Sequence, residues 1–205
     1  MATWMTRQLA HPSGLIGRWI LAPLWNRRNA ALNDFTCDRL SLNSSSRVIE
    51  VGFGGGYLLE RISRIVEDGF VAGVDASPTM VAHCRKRFPR LLRSGRLALQ
   101  WAKAEVLPFP DNSFSNACSV NSMFYWSDPP KALSELRRIL SPGGQLVVSM
   151  TRAESLAKNG VKGPAVIPLS PDGVEAMVSV AGFDRVSVLH EIDRHRDFIC
   201  VVAWV

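Results

Sequence analysis

From Arg47 onward the chain alternates short apolar runs with amphipathic stretches, a pattern that predicts parallel strands joined by crossover helices. Strands are expected near 47–51, 70–75, 97–101, 115–120 and 145–150. The helix after the second strand starts well, because Ser77 can accept from free backbone amides and Pro78 sits where its missing donor costs nothing. Met80, Val81, Cys84 and Phe88 give that helix a buried face, and Arg85, Lys86 and Arg87 complement its dipole at the far end. A later helix starts after Asp128, buries Ala132, Leu133, Leu136, Ile139 and Leu140, and ends at the tight turn Ser141-Pro142-Gly143-Gly144. One more helix near 171–181 leads through Gly182 to apolar strands near 184–190 and 198–204. The polar link from Glu191 to Asp197 is too short for a crossover, so these two strands form an antiparallel hairpin at the sheet edge. The pattern is that of an α/β, doubly wound, mostly parallel sheet.

The first 35 or so residues read differently. Trp4, Leu9, Leu15, Ile16, Trp19, Ile20, Leu24 and Trp25 are interleaved with Arg7, Arg18, Arg27 and Arg28, and no acid precedes Asp34. Near-helical spacing from Leu15 to Trp25 predicts a helix interrupted at Pro23. Residues 1–40 are therefore expected to form a helical lid or an interfacial segment, and 41–205 one domain. With 205 residues, 47% of them hydrophobic, the chain has material for a single sizeable core. Arg18, Arg27 and Arg28 break the richest apolar stretch, so no run reaches the roughly 20 residues of a membrane-spanning helix, and no secretory signal is legible. The net charge of +6 biases the choice of partner toward anionic surfaces without specifying nucleic acid, for which no motif is present. Four scattered cysteines, Cys37, Cys84, Cys118 and Cys200, fit reduced thiols in a cytoplasmic setting.

The chemistry concentrates at Arg47 to Gly56, a buried strand running into a glycine-rich turn and then a helix carrying Leu58, Leu59, Ile62 and Ile65. Glycines permit positive φ and close approach of a ligand to the backbone, and the first strand-to-helix turn of a doubly wound sheet lies where ligands bind. A dinucleotide site asks for GxGxxG, but the sixth position counted from Gly52 is Tyr57. The pattern is instead Glu50-x-Gly52-x-Gly54-x-Gly56. An acid just before the glycines suits a ligand carrying an ammonium group and repels a pyrophosphate. S-adenosylmethionine has the ammonium and no phosphate. Asp75, at the end of the second strand and about twenty residues beyond the turn, is where an acid takes ribose hydroxyls; it is equally placed to cap the next helix.

These residues resemble class I S-adenosylmethionine-dependent methyltransferases, in particular the small-molecule branch that includes ubiquinone and menaquinone biosynthesis methyltransferases. The resemblance covers about 40–205 and is carried by Val48 to Gly56, Val71 to Pro78, Ala104 to Asp111 and Leu136 to Gly144. It implies a Rossmann-like sheet of seven strands with a reversed final strand. It also implies cofactor contacts at Glu50, Gly52, Gly54, Gly56, Asp75, Ala76, Ala104, Glu105 and Asn121, with Asn121, Ser122 and Met123 beside the methyl donor. Three positions depart from the pattern: Lys103 where an acid often receives the adenine amino group, Phe53 where small residues are common, and Ser115 where an acid often follows a strand phenylalanine.

In-line displacement at a sulfonium methyl needs a nucleophile held close and collinear, so proximity and desolvation supply much of the acceleration without a dedicated base. For a phenolic or enolic acceptor a base helps. His11 in the N-terminal segment and Tyr125 beside Trp126 are the catalytic candidates, ahead of His83, His190 and His195. Cysteines and histidines never cluster at ligand spacing, so no metal site is expected. The leading expectation is methyl transfer to the oxygen, nitrogen or carbon of a small molecule. Its competitors are a membrane-associated methyltransferase of phospholipid or quinone-like lipids, touching anionic membrane through the N-terminal segment, and a cofactor-binding module without activity, which Lys103 keeps open. A nicotinamide-dependent oxidoreductase is disfavoured by Tyr57 and Glu50. If residues 1–30 are a lid, deleting them is expected to weaken acceptor turnover more than cofactor affinity; equal loss of both in a folded protein would exclude that role.

Overall fold

A computed structural model describes residues 29–158, 169–193 and 196–205. The helix expected within 15–25 and His11 and His195 lie outside the described residues. In chain order the elements are α1 (Ala30–Arg39), β1 (Arg47–Val51), α2 (Tyr57–Ile65), β2 (Phe70–Asp75), α3 (Pro78–Arg87), α4 (Pro89–Arg93), β3 (Leu97–Trp101), β4 (Phe114–Val120), a 3₁₀ turn (Met123–Tyr125), α5 (Pro129–Ile139), β5 (Leu140–Thr151), α6 (Ala153–Lys158), α7 (Pro171–Val180), β6 (Asp184–Ile192) and β7 (Asp197–Trp204). They build a seven-stranded sheet of order β3-β2-β1-β4-β5-β7-β6. All pairings from β3 to β5 are parallel, and β7 runs antiparallel to both of its neighbours. This is the Rossmann-like sheet with a reversed final strand.

Strand residues alternate between two buried faces, as they must when helices cover both sides. Val48, Val71, Leu97, Leu99 and Cys118 pack with Leu32 of α1, Leu58, Leu59 and Ile62 of α2 and Met80, Val81 and Cys84 of α3. Ile49, Ala72, Val74, Ala117, Leu146 and Val148 face Ala132, Leu133, Leu136 and Ile139 of α5 and Val174 and Val178 of α7. Each fully buried Leu, Ile or Val contributes about 1.5–3 kcal/mol. The helix starts follow their sequence: Ser77 accepts from the Met80 amide at 3.4 Å, Asp128 from Lys131 at 3.1 Å and Ser170 from Gly173 at 3.1 Å, each followed by proline.

One element differs from the expected pattern. β5 begins at Leu140, directly after α5, and the Ser141–Gly144 turn is a bulge inside the strand: Leu140 pairs with Phe114 and Gln145 with Asn116, so five steps on one strand face two on the other. Gly143 at φ 75° makes that turn and donates to the carbonyl of Val205 at 2.8 Å. Within the N-terminal segment, α1 is a helix docked on the sheet. Leu32 and Thr36 of α1 are fully buried, and the Thr36 hydroxyl donates to Ser149 Oγ in β5 at 2.7 Å.

Candidate functional site

Strand order reverses between β1 and β4, and the crevice outside the carboxyl ends of those strands is where a doubly wound sheet binds ligands. β1 delivers Glu50 there. Its side chain shares the Val48 face of the sheet, beneath the first turn of α2, and is 2% exposed. Burial first, then the nearby Asp75 carboxylate, push its pKa up to about 8; the backbone N–H of Leu59 donates to it and pulls the other way. Its Oε2 has no hydrogen-bond partner among the described residues. Unpaired buried carboxylate oxygens are costly and demand an explanation.

The glycine turn follows at once. Gly52, Gly54 and Gly56 have φ of 81°, 50° and 75°, the left-handed region that L side chains avoid. Their surroundings differ. A Cβ on Gly52 would lie 2.2 Å from Ser122 Oγ, and one on Gly56 2.7 Å from the Phe88 ring, so backbone and side chains close in on both. Around Gly54 nothing among the described residues lies within 4 Å of that position. The turn is thus packed at both ends and open in the middle. Phe53 points away from the opening: it is 4% exposed and fills the space over Gly73, where a Cβ would meet its ring at 2.7 Å.

Asp75 at the end of β2 is tied to the same turn. Its Oδ2 accepts from the Gly54 amide and its Oδ1 from the Ser77 amide, both at 2.8 Å. Burial pushes its pKa up to about 6 against those two hydrogen bonds. Ser77, not Asp75, is the helix cap. Each Asp75 oxygen keeps a second lone pair, so the carboxylate can still accept from a ligand's hydroxyls. The Ala76 carbonyl is taken by the indole N–H of Trp101 at 3.1 Å.

Ala104 and Glu105 are buried, but the Glu105 side chain has a structural task. Its Oε1 accepts from the Ser127 amide and hydroxyl and from the Asp128 amide at 2.6, 2.8 and 3.1 Å. Burial raises its pKa, but its own backbone N–H together with these hydrogen bonds outweighs burial and holds it below the usual value. The following segment is fastened by Arg138, which donates to the carbonyls of Leu107 and Phe109 at 3.1 and 2.9 Å and pairs with Asp111 and Glu135 at 2.7 Å. The two sequence stretches Ala104–Asp111 and Leu136–Gly144 are therefore two halves of one clamp. Lys103 is exposed.

At the end of β4, Asn121 adopts φ 51°, which asparagine tolerates better than most residues. Its Oδ1 accepts from the Thr151 amide at 2.8 Å and its Nδ2 donates to Asn29 Oδ1 at 3.2 Å. Asn29 Oδ1 also accepts from Arg196 at 2.6 Å. Asn29 and Thr151 were not legible as partners of Asn121, because they lie 92 and 30 residues away and carry no local motif. Tyr125 packs edge-on against Phe124 with centroids 4.6 Å apart, and burial pushes its phenol up to about 12. His83 is half-buried on α3, and His190 lies exposed on the edge strand β6.

Glu50, with one carboxylate oxygen unpartnered among the described residues, the glycine backbone beside it and a second carboxylate with spare lone pairs thus lie together at this crevice. Residues 49–148 match the family model described as a methyltransferase domain. An uncharacterized methyltransferase, YdaC, from Bacillus subtilis is 28% identical over 62% of this chain and 68% of its own length. The ubiquinone/menaquinone biosynthesis C-methyltransferase UbiE of Edwardsiella ictaluri is 34% identical over 61% of this chain; the match spans 47% of that relative. In fold, a methyltransferase solved in complex with the Trm112 methyltransferase activator of Haloferax volcanii aligns at TM-score 0.80 and 19% identity over 92% of this chain and 95% of that one.

Proposed function

Since the chain belongs to the class I S-adenosylmethionine-dependent methyltransferases, we propose that it transfers a methyl group from S-adenosylmethionine to a small-molecule acceptor held at the carboxyl ends of β4 and β5. The observation that carries this reading is Glu50: a carboxylate 2% exposed, with one oxygen unpartnered among the described residues, at the mouth of the glycine turn. An ammonium group is the ligand chemistry that satisfies it. The open backbone at Gly54 admits the amino-acid tail, Asp75 accepts from the ribose, and Ala104 flanks the adenine. When bound, the cofactor supplies an electrophilic methyl on a sulfonium.

What remains for the protein is to align an acceptor and exclude water. Met123 and Phe124 bury the floor after β4. Tyr125, with a phenol raised to about 12, stays protonated at neutral pH and donates a hydrogen bond to the acceptor rather than removing its proton. An acceptor with its own acidic oxygen or carbon suits such a site. UbiE, a C-methyltransferase by name, makes carbon a reasonable first choice in a screen with methyl-labelled cofactor.

Glu50 gives the test. With a pKa of about 8, it is mostly protonated at pH 7 in the free protein; an ammonium beside it favours the carboxylate, so binding releases a proton. Calorimetric titration with S-adenosylhomocysteine in buffers of different ionisation enthalpy is expected to report nearly one proton released at pH 7. Affinity is expected to rise by up to about tenfold per pH unit below pH 8 and to level off above it. Binding without proton exchange, or tight binding of NADH in its place, would remove the proposal.

A further inference from the structure

Glycines at three alternate positions leave a turn with almost no steric preference among its conformations, so its shape must be imposed from elsewhere. The imposing groups sit on β2 and α3. The Gly52 amide donates to the Val74 carbonyl at 2.7 Å, and the Gly54 amide to Asp75. From α3, the Cys84 thiol donates to the Gly54 carbonyl at 3.4 Å. One guanidinium nitrogen of Arg87 donates to the Gly55 carbonyl at 2.7 Å, and the other pairs with Glu60 on α2. Cys84 and Arg87 stand three residues apart and so share the helix face turned toward the loop. Behind Gly56, Phe88 and Cys84 form a wall. The basic cluster at the end of α3 divides accordingly: Arg85 reaches the Leu99 carbonyl at 3.2 Å, Lys86 is exposed, and Arg87 holds the turn.

We infer that Arg87 is a positioning residue for the cofactor, acting through the Gly55 carbonyl. Holding that carbonyl against α3 fixes the Gly55–Gly56 peptide, whose amide donates to Phe53 at 2.8 Å, and presets the turn for its ligand. The bridge to Glu60 ties the same point to the first turn of α2, above Glu50. A turn ordered in advance spares the ligand the cost of ordering it. The inference rests on the proposed cofactor reading, but its structural half does not.

The experiment compares the full chain with Arg87→Ala, Arg87→Lys and Arg90→Ala, the last being an exposed cation of α4. Three quantities are measured: the dissociation constant of S-adenosylhomocysteine, the melting temperature without ligand, and amide hydrogen exchange at Gly56. Arg87→Ala is expected to weaken S-adenosylhomocysteine about tenfold, as befits loss of a charge-assisted hydrogen bond that only preorganises. It should also speed exchange at Gly56 while melting close to Arg90→Ala. Arg87→Lys keeps the charge without the fork, and is expected to recover part of both losses; it carries the comparison should the alanine variant fail to fold. A lowered melting temperature with affinity and Gly56 exchange both at wild-type values would show a merely structural contact and overturn the inference. If the unaltered protein binds no S-adenosylhomocysteine, the methyltransferase reading fails on its own, and the exchange measurement still decides whether Arg87 holds the turn.

Discussion

Glu50→Gln is expected to cost the protein its cofactor and to make the ligand-free chain more stable. The affinity loss follows from removing one partner of a buried ion pair, about 3–5 kcal/mol or roughly two to four orders of magnitude in dissociation constant. The stability gain follows from proton linkage. The folded-state pKa of Glu50 is raised to about 8 from 4.5, so between those values the unfolded chain has released a proton that the folded chain retains. Stability therefore falls as pH rises through that window, by up to about 1.4 kcal/mol per pH unit from this one group. Asp75, raised to about 6 from 3.8, adds a penalty of the same sign at lower pH. Gln at position 50 cannot ionise, and its amide oxygen can still accept from Leu59. Chemical denaturation at pH 5 and pH 8 is the measurement: the variant should gain over the unaltered protein at pH 8, and the gain should shrink toward pH 5. A variant less stable at both pH values would mean that Glu50 is a structural carboxylate, satisfied without any ligand.

That same residue explains why so much was legible from sequence. An acid inside an otherwise apolar strand, two residues before a glycine turn, violates the rule that fully buried strands are apolar, and such local violations mark functional positions. The strands and capped helices were legible for the converse reason, that period, caps and turn residues all agreed. Legibility failed where burial and pattern part company. α1 buries Asn33 and Thr36 along with Leu32 and Cys37, so no apolar stripe announces it. The pins on the glycine turn come from α3, about thirty residues later, and Arg138 fastens a loop on the far side of β4; in both cases an ordinary helix-end arginine does the work, and nothing distinguishes it locally from a solvated one. Glu105 misleads in the opposite sense. It stands in a stretch whose resemblance points to the adenine, while its carboxylate is committed to the start of α5.

Gly52→Ala and Gly54→Ala are expected to fail in different ways, although both place an L side chain at positive φ. At Gly52 the added Cβ meets Ser122 Oγ at 2.2 Å and Ser122 Cβ at 2.5 Å. Backbone strain of about 1–2 kcal/mol combines with an overpacking cost of about 1–3 kcal/mol, and the protein should lose much of its stability. Ser122→Gly deletes both clashing atoms and leaves Ser122 Cα 3.9 Å away, an ordinary contact. It also gives up the hydrogen bond that Trp126 Nε1 donates to the hydroxyl at 3.0 Å, about 1 kcal/mol. The double variant should therefore be more stable than the sum of the singles allows, by about the overpacking term; strict additivity would show that Ser122 and the turn do not touch. At Gly54, by contrast, the new methyl meets nothing among the described residues. Gly54→Ala should fold with only the strain of its φ of 50°, yet lose S-adenosylhomocysteine, because the methyl occupies the opening through which the ligand approaches the backbone. Undiminished affinity in a folded Gly54→Ala protein would place the ligand elsewhere, whatever the behaviour of position 52.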